Sequence, residues 1–348
     1  MVAPFPPPYG GMGLQFSQLA SLLENRGLQV TRIRIEWVDE NDHLRKIRRL
    51  GSFIKAGWQT FWSHGLIIHS TTGSALNGFF ITFVTAAGKM SGKKVLLTIA
   101  GGDFLQFSIQ ANFFKRKLLS LFFTIPDVLI PVNPDMQKAL LNLGINQKKI
   151  ILISNALPEE VGNRTEYLLD DKFLQFCKQY HPLILYVGGM ERHYGLVDLI
   201  QAVSTLQADF PNIGVAVFVK QGGNQAFEEE VQSYLETYNL TGRFLVFKSV
   251  PWIVSAMKLS NVMVRATNVF EGDSRAVREA LAVGLPVVAS NIGLRPEGVT
   301  LYKAGDVTGL VTAFQSVLVK PGHNDPVTDP EGEKNIQRYL ALYEKLCG

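Results

Sequence analysis

The sequence predicts an α/β protein of two doubly wound parallel-sheet domains, and three observations carry the prediction. The grammar strand, glycine turn, helix, strand opens twice, once around Gly10-Gly11 and again around Gly188-Gly189. Around and after both openings, short apolar runs alternate with amphipathic stretches of helical length, as they do when helices cover both faces of a parallel sheet. A chain of 348 residues is also longer than one ordinary core organises. The two Rossmann-like halves are expected to face each other across a cleft, with a ligand between their carboxyl edges.

The first opening, Pro6-Pro7-Pro8-Tyr9-Gly10-Gly11-Met12-Gly13, is a rigid segment that ends in a flexible turn. Its first strand is barely present, since only a few residues precede the turn. A helix follows, with Leu14, Leu19, Leu22 and Leu23 on one side and Gly27 at its end. Strands are expected at Gln29 to Ile35, Leu66 to His69, Lys94 to Ile99, Val128 to Val132 and Lys149 to Ile153, with a helix from Pro134 to Leu143. The N-terminal domain is placed at 1–158 and a polar linker, helical or loop-like, at 159–180. In the second domain, 181–328, strands are expected at Leu183 to Val187, Gly214 to Val219, Phe244 to Val250, Val262 to Arg265 and Pro286 to Ala289. Helices Gly195 to Phe210, Ala226 to Tyr238 and Ile253 to Leu259 alternate with them. The tail, 329–348, reads as an amphipathic helix that packs back towards the first domain.

Hydrophobic residues make up 47% of the chain and charged residues 18%, which excludes a disordered protein. The net charge of +4 conceals an asymmetry. Residues 1–157 carry 17 Lys/Arg against 8 Asp/Glu, a net +9, and residues 158–348 carry 17 against 22, a net −5. Cys177 and Cys347 stand far apart without ligand spacing, so neither a disulfide framework nor a zinc site is indicated. The N-terminus lacks the basic start and apolar run of a signal peptide. The uncharged run from Gly65 to Gly88 contains Ser70, Thr71, Thr72, Ser74 and Asn77, and reads as a strand and a buried helix rather than a membrane span. A cytoplasmic protein is expected.

Two segments of the basic half interleave cations with aromatics. Residues 43–64 set Arg45, Lys46, Arg48, Arg49 and Lys55 among Phe53, Trp58, Phe61 and Trp62, and residues 113–123 set Lys115, Arg116 and Lys117 among four phenylalanines. Such runs suit an anionic membrane surface on the cytoplasmic side. They equally suit ordinary helices with a core face and snorkelling cations. No motif points to nucleic acid.

The stretch Asn268 to Val299, NVFEGDSRAVREALAVGLPVVASNIGLRPEGV, carries the chemistry. Glu271 and Glu279 flank a Gly-Asp-Ser turn and a helix start. Carboxylates accept hydrogen bonds from hydroxyls, and the amides of a helix start bind phosphate, so the pattern fits a ligand hydroxylated at its ends and anionic in its middle. A nucleotide-sugar has that layout.

In order along the chain, Gly10-Gly11, Thr98-Ile99-Ala100-Gly101-Gly102-Asp103, Leu152-Ile153-Ser154-Asn155, Leu185-Tyr186-Val187-Gly188, Gly195-Leu196 and Leu199-Ile200-Gln201-Ala202 lead to Glu271…Glu279 and Glu279-Ala280-Leu281-Ala282-x-Gly284-x-Pro286-Val287-Val288. This series resembles the family 4 retaining glycosyltransferases of the GT-B fold. The resemblance implies that Glu271 contacts the transferred sugar and Glu279 holds the ribose hydroxyls. The amides of Gly272, Asp273, Ser274 and Arg275 would face the diphosphate together with Gly188, and Gly10 and Gly11 would approach it from the other domain. Asn155, Arg295 and Glu297 also match family positions, as supports of the fold or as ligand contacts. It implies no cofactor and no metal, a nucleotide-sugar donor, and a glycan or lipid-linked acceptor in cell-surface polysaccharide or glycoconjugate biosynthesis.

Three departures matter. The Arg and Lys that clamp the diphosphate in the family are Gly189 and Tyr194 here, a common His is Ala100, and Asp273 and Ser274 replace a frequent Phe and Gly. Arg192 and Arg275, with His193, are the expected substitute cations, and Asp273 sets a negative charge near the phosphate amides. A second reading therefore stays open, a sugar-nucleotide-binding partner subunit with weak or no transfer. Glu279 paired with Arg275 as an ordinary helical ion pair is the plainer reading of that residue.

Overall fold

The computed structural model describes residues 1–7, 9–36, 45–73, 75–100, 104, 107–108, 110–157, 168–220, 224–269, 272–319, 323–326 and 330–347, without the side chains of 45–46, 75–78 and 330. The chain divides into two units, Met1–Pro158 with Pro330–Gly348, and Glu159–Asp329.

In unit 1, β1 (Val2–Ala3), β2 (Ile33–Arg34), β3 (Ile67–Thr72), β4 (Lys94–Ile99) and β5 (Val128–Pro131) form a parallel sheet in the order β2-β1-β3-β4-β5. The order reverses between β1 and β3, which makes the carboxyl end of β1 a topological switch point. The strand expected over Gln29 to Ile35 shrinks to two residues because β1, its neighbour, offers only Val2 and Ala3 for pairing. Residues 149–153 are no full strand either. Ile151 and Ile153 donate to Leu129 O and Pro131 O at 2.9 and 3.2 Å, but Pro131 has no N–H to return a bond.

The helix α1 (Gly11–Glu24) follows the first turn. A Cβ on Gly10 or Gly11 would meet nothing within 4 Å, whereas one on Gly13 would stand 2.1 Å from Pro4 O. The steric demand for glycine at this turn therefore rests on Gly13, where α1 packs on the exit of β1. The helices α2 (Arg45–Trp62), α3 (Ala75–Met90), α4 (Phe113–Phe123) and α5 (Pro134–Asn142) share one core with the sheet, through Phe53, Ile81, Leu119 and Met136 among others. The uncharged run is thus a strand and a helix, and among the described residues no helix is long and apolar enough to cross a membrane.

A second core joins α1 to the C-terminal helix (Pro330–Cys347). Ile336, Tyr339, Leu342 and Tyr343 pack with Leu19, Leu22 and Leu23 over Leu96 and Ile130. Asn335, fully buried, donates to Ser154 Oγ at 2.8 Å and to Ala156 O at 3.0 Å. Four residues of this helix thus build the core of unit 1.

The same core holds His69, with Nδ1 2.6 Å from the Tyr343 hydroxyl and Nε2 2.7 Å from Thr98 Oγ1. Burial, with the chain's own ammonium as a smaller cause, lowers its pKa from 6.5 to about 3. Between those values the unfolded chain takes up a proton that the fold does not. The contribution is complete above the unfolded pKa and is lost as pH falls towards the folded one. Urea denaturation at pH 7 and pH 5 should differ by about 2 kcal/mol through this group alone. His69→Gln should flatten the slope by that amount.

In unit 2, residues 171–179, read as linker in the sequence, form α6 (Asp171–Gln179), because Phe173 and Phe176 find an apolar seat in the unit's core. The strands are β6 (Leu183–Gly188), β7 (Gly214–Val219), β8 (Phe244–Lys248), β9 (Val262–Arg265), β10 (Val287–Ser290) and β11 (Val299–Tyr302). Between them run α7 (Leu196–Leu206), α8 (Gln225–Thr237), α9 (Ile253–Met257), α10 (Arg275–Ala282) and, after β11, α11 (Val307–Leu318). The strand order β11-β10-β9-β6-β7-β8 is parallel throughout and reverses between β6 and β9. The crevice at the carboxyl ends of those two strands is where a ligand binds in such a sheet.

Candidate functional site

Two loops border that crevice in unit 2, residues 189–195 after β6 and, after β9, the described residues 266–269 and 272–274. The first is pinned from below. Tyr186, buried in β6, sets its hydroxyl 3.2 Å from both Gly189 O and Tyr194 O. A Cβ on Gly188 would stand 2.4 Å from that hydroxyl, so Gly188 is required by the tyrosine beneath it. The two loops are also stitched together, since Asn268 N donates to His193 O at 2.8 Å. Gly195, at φ +72°, lies so close to the second loop that a Cβ would be 1.9 Å from Ala266 O. Only glycine fits there.

Gly189 and Tyr194 prove to be a packing pair. A Cβ on Gly189 would fall 2.4 Å from Cε2 of the Tyr194 ring. An aromatic at 194 therefore leaves no room for a side chain at 189. Against the same ring lies Arg265, the last residue of β9, with its guanidinium 5.1 Å from the ring centroid and Nη1 donating to Val187 O at 2.5 Å. Arg265 thus spans the ends of β6 and β9. Lys220, directly after β7, reaches Glu191 at 3.2 Å. Reading the sequence missed both cations; the available signal was a single basic residue at the carboxyl end of each strand.

The expected substitutes are placed differently. Arg192 is 70% exposed and pairs with Glu230 of α8 at 2.6 Å, and His193 Nε2 lies 3.4 Å from Glu191. Arg275 donates from Nε to Glu279 at 2.8 Å. That is the plain i,i+4 pair, but it is buried, with side chains only 17% and 10% exposed. Asp273 does not confront the helix start as an uncompensated charge: its fully buried carboxylate accepts from Arg278 Nε at 2.7 Å. Ser274 is the N-cap of α10 and makes no side-chain cap bond, so the first amides of α10 lack an intrahelical partner and a side-chain cap from Ser274. Gly272, Asp273, Ser274, Arg275 and Glu279 therefore gather at one helix start beside the crevice. Glu271 lies outside the described residues.

The remaining motif residues lie outside this helix start. Gly284, at φ +73°, ends α10, and a Cβ there would be 2.2 Å from Asn324 O. Arg295 donates to Ser290 O at 3.1 Å, and Glu297 is exposed. In unit 1, Asn155 O accepts from Gln15 at 2.8 Å, Ala100 N donates to Thr72 O at 3.0 Å, and Gly101, Gly102 and Asp103 lie outside the described residues.

Residues 172–317 match the model of a family described as glycosyl transferases group 1. Those residues are similar to a group 1 glycosyl transferase domain. No curated relative matches the sequence. The whole chain has the GT-B fold, as three solved structures show. Anabaena HepE in complex with UDP and glucose is 12% identical, with 100% of this chain and 98% of that chain covered at a TM-score of 0.70. The sucrose-phosphate synthase of Thermosynechococcus elongatus is 18% identical, with coverage of 97% and 94% and a TM-score of 0.69. A glycosyltransferase from Rickettsia africae ESF-5 is 15% identical, with coverage of 99% and 97% and a TM-score of 0.66. The matched range contains the described residues of both crevice loops, Arg265, Lys220 and α10.

Proposed function

We propose that this chain is a retaining, metal-independent glycosyltransferase that moves a sugar from a nucleotide-sugar donor to a glycan or lipid-linked acceptor in cell-surface polysaccharide or glycoconjugate biosynthesis. The observation that carries the reading is the start of α10 at the switch point of unit 2, with Ser274 giving its amides no side-chain cap and Glu279 buried just behind them. Its amides take the diphosphate, Glu279 takes the ribose hydroxyls, and Glu271 takes the sugar. Anabaena HepE is seen with UDP and with UDP-glucose, which supports a nucleotide-sugar and makes uridine the first base to try. A similar fold in the lipopolysaccharide outer core galactosyltransferase WaaB supports a glycan acceptor.

A nucleoside diphosphate is already a good leaving group, so the site must hold developing charge on phosphate rather than supply a strong acid. Arg265 and Lys220 stand in for the cations that Gly189 and Tyr194 displace. A charged hydrogen bond is worth about 1.5–3 kcal/mol, roughly 10- to 150-fold in affinity. Titration calorimetry with UDP should therefore show Arg265→Met weakened about that much and Arg192→Ser within about threefold of wild type; the reverse ranking would return the role to Arg192.

The filling of the Gly189 position by Tyr194 also favours a second reading, a donor-binding partner subunit with little transfer of its own. Purified protein incubated with UDP-, GDP- and ADP-sugars and membrane lipid extract, with and without EDTA, separates the two. Donor consumption insensitive to EDTA is expected. Nucleotide-raised melting without consumption supports the partner subunit.

A further inference from the structure

The outer side of unit 1 carries more apolar surface than its core requires. In α2 the buried stripe is Phe53, Ala56 and Thr60, while Ile47, Ile54, Trp58 and Trp62, spaced seven, four and four residues apart, stand outside. Trp58 and Trp62 are 67% and 63% exposed. α3 buries Phe80, Ile81 and Val84 and leaves Phe79 and Phe83 out. α4 buries Leu119 and Phe123 and leaves Leu118, Leu121, Phe113 and Phe114 out, the last two 73% and 79% exposed. The helices touch side by side. A Cβ on Gly57 would stand 3.0 Å from Phe83 O, and the Phe79 and Phe122 rings lie 5.0 Å apart. Each helix thus has one apolar face in the core and a second, exposed one.

Charge identifies what covers the outer one. The three helices contain nine Lys/Arg and no Asp or Glu. Lys115, Arg116 and Lys117 are exposed within the first turns of α4, and Arg48 beside Ile47 on α2. A second copy of this chain meeting it with the same face would set like charge against like. An anionic bilayer offers acyl chains to the aromatics and headgroups to the cations, with the apolar side chains about 5–10 Å deep.

We propose that the face formed by α2, α3 and α4 docks on an anionic phospholipid bilayer. This stands apart from the sugar-transfer reading, and it accounts for the location of the positive charge in residues 1–157.

Flotation of the full chain with vesicles tests it. Binding to phosphatidylcholine mixed with phosphatidylglycerol is expected, with little to phosphatidylcholine alone, and with a blue shift of tryptophan emission as Trp58 and Trp62 leave water. Phe113→Ser with Phe114→Ser should reduce binding at least tenfold, and each of Lys115→Ser and Lys117→Ser about fivefold. These side chains are exposed, so an unchanged melting temperature confirms that the fold survives. Equal binding to both vesicles, no binding, or an unaltered double variant would overturn the proposal. So would a blue shift that grows with protein concentration without vesicles and a dimer mass by light scattering, which would give the face to a second copy.

Discussion

Replacing Arg278 with Ala is expected to destabilise unit 2 by about 3–5 kcal/mol, the largest effect of any single charge removal in the crevice. Its partner Asp273 has a fully buried side chain and accepts at 2.7 Å from Arg278 Nε. Without the guanidinium, a carboxylate would be left in a site it cannot leave without unfolding the turn before α10. Melting should fall by roughly 2–4 °C per kcal/mol for a unit of this size. Adding Asp273→Asn should recover much of the loss, since the buried charge deprived of Arg278 is the cause. UDP affinity should fall in Arg278→Ala beyond what instability explains, because Asp273, with the Arg278 cation removed, would repel the diphosphate more strongly. A single variant that melts like wild type would show that the Arg278 pair does not hold this turn.

Gly195→Ala should cost about 2–5 kcal/mol, from a left-handed backbone and from overpacking. The added Cβ meets Ala266 O at 1.9 Å, a backbone atom that cannot swing aside. Relief would come only by parting the loop after β6 from the loop after β9, which breaks the bond from Asn268 N to His193 O. Gly27→Ala is the control. Its φ of +85° carries the same conformational penalty, but a Cβ there meets nothing within 4 Å. Denaturation of the two variants should differ by the overpacking contribution, and only Gly195→Ala should lose UDP binding.

The sequence was most legible where a strand is buried on both faces. Lys94–Ile99, Gly214–Val219 and Val262–Arg265 are apolar runs closed by breakers, and their bounds match the expected ones. It was least legible where a strand is very short or lies at a sheet edge. β11 has Leu301 exposed and no alternation to find, and β1 is two residues long. Among the site residues, the carboxylate and helix start of α10 were readable because their chemistry is local in sequence. Arg265 and Lys220 were not, since a basic residue at the end of a strand is commonplace until the strand order shows which ends meet. The Asp273–Arg278 pair was hidden for a different reason: Asp273 precedes the helix, so the spacing of five is set by the turn and fits no helical rule. Gly189 and Tyr194 were noticed as two separate losses, whereas the geometry makes them one exchange.

The way the C-terminal helix completes the core of unit 1 also orders biosynthesis. Leu19, Leu22, Leu23, Leu96 and Ile130 await Ile336, Tyr339, Leu342 and Tyr343, which emerge from the ribosome some two hundred residues or more later. Unit 2, whose residues are contiguous, can close first. The half of the protein that is translated first is therefore finished last, and until then it presents a greasy, unfinished seam to the chaperones of the cell.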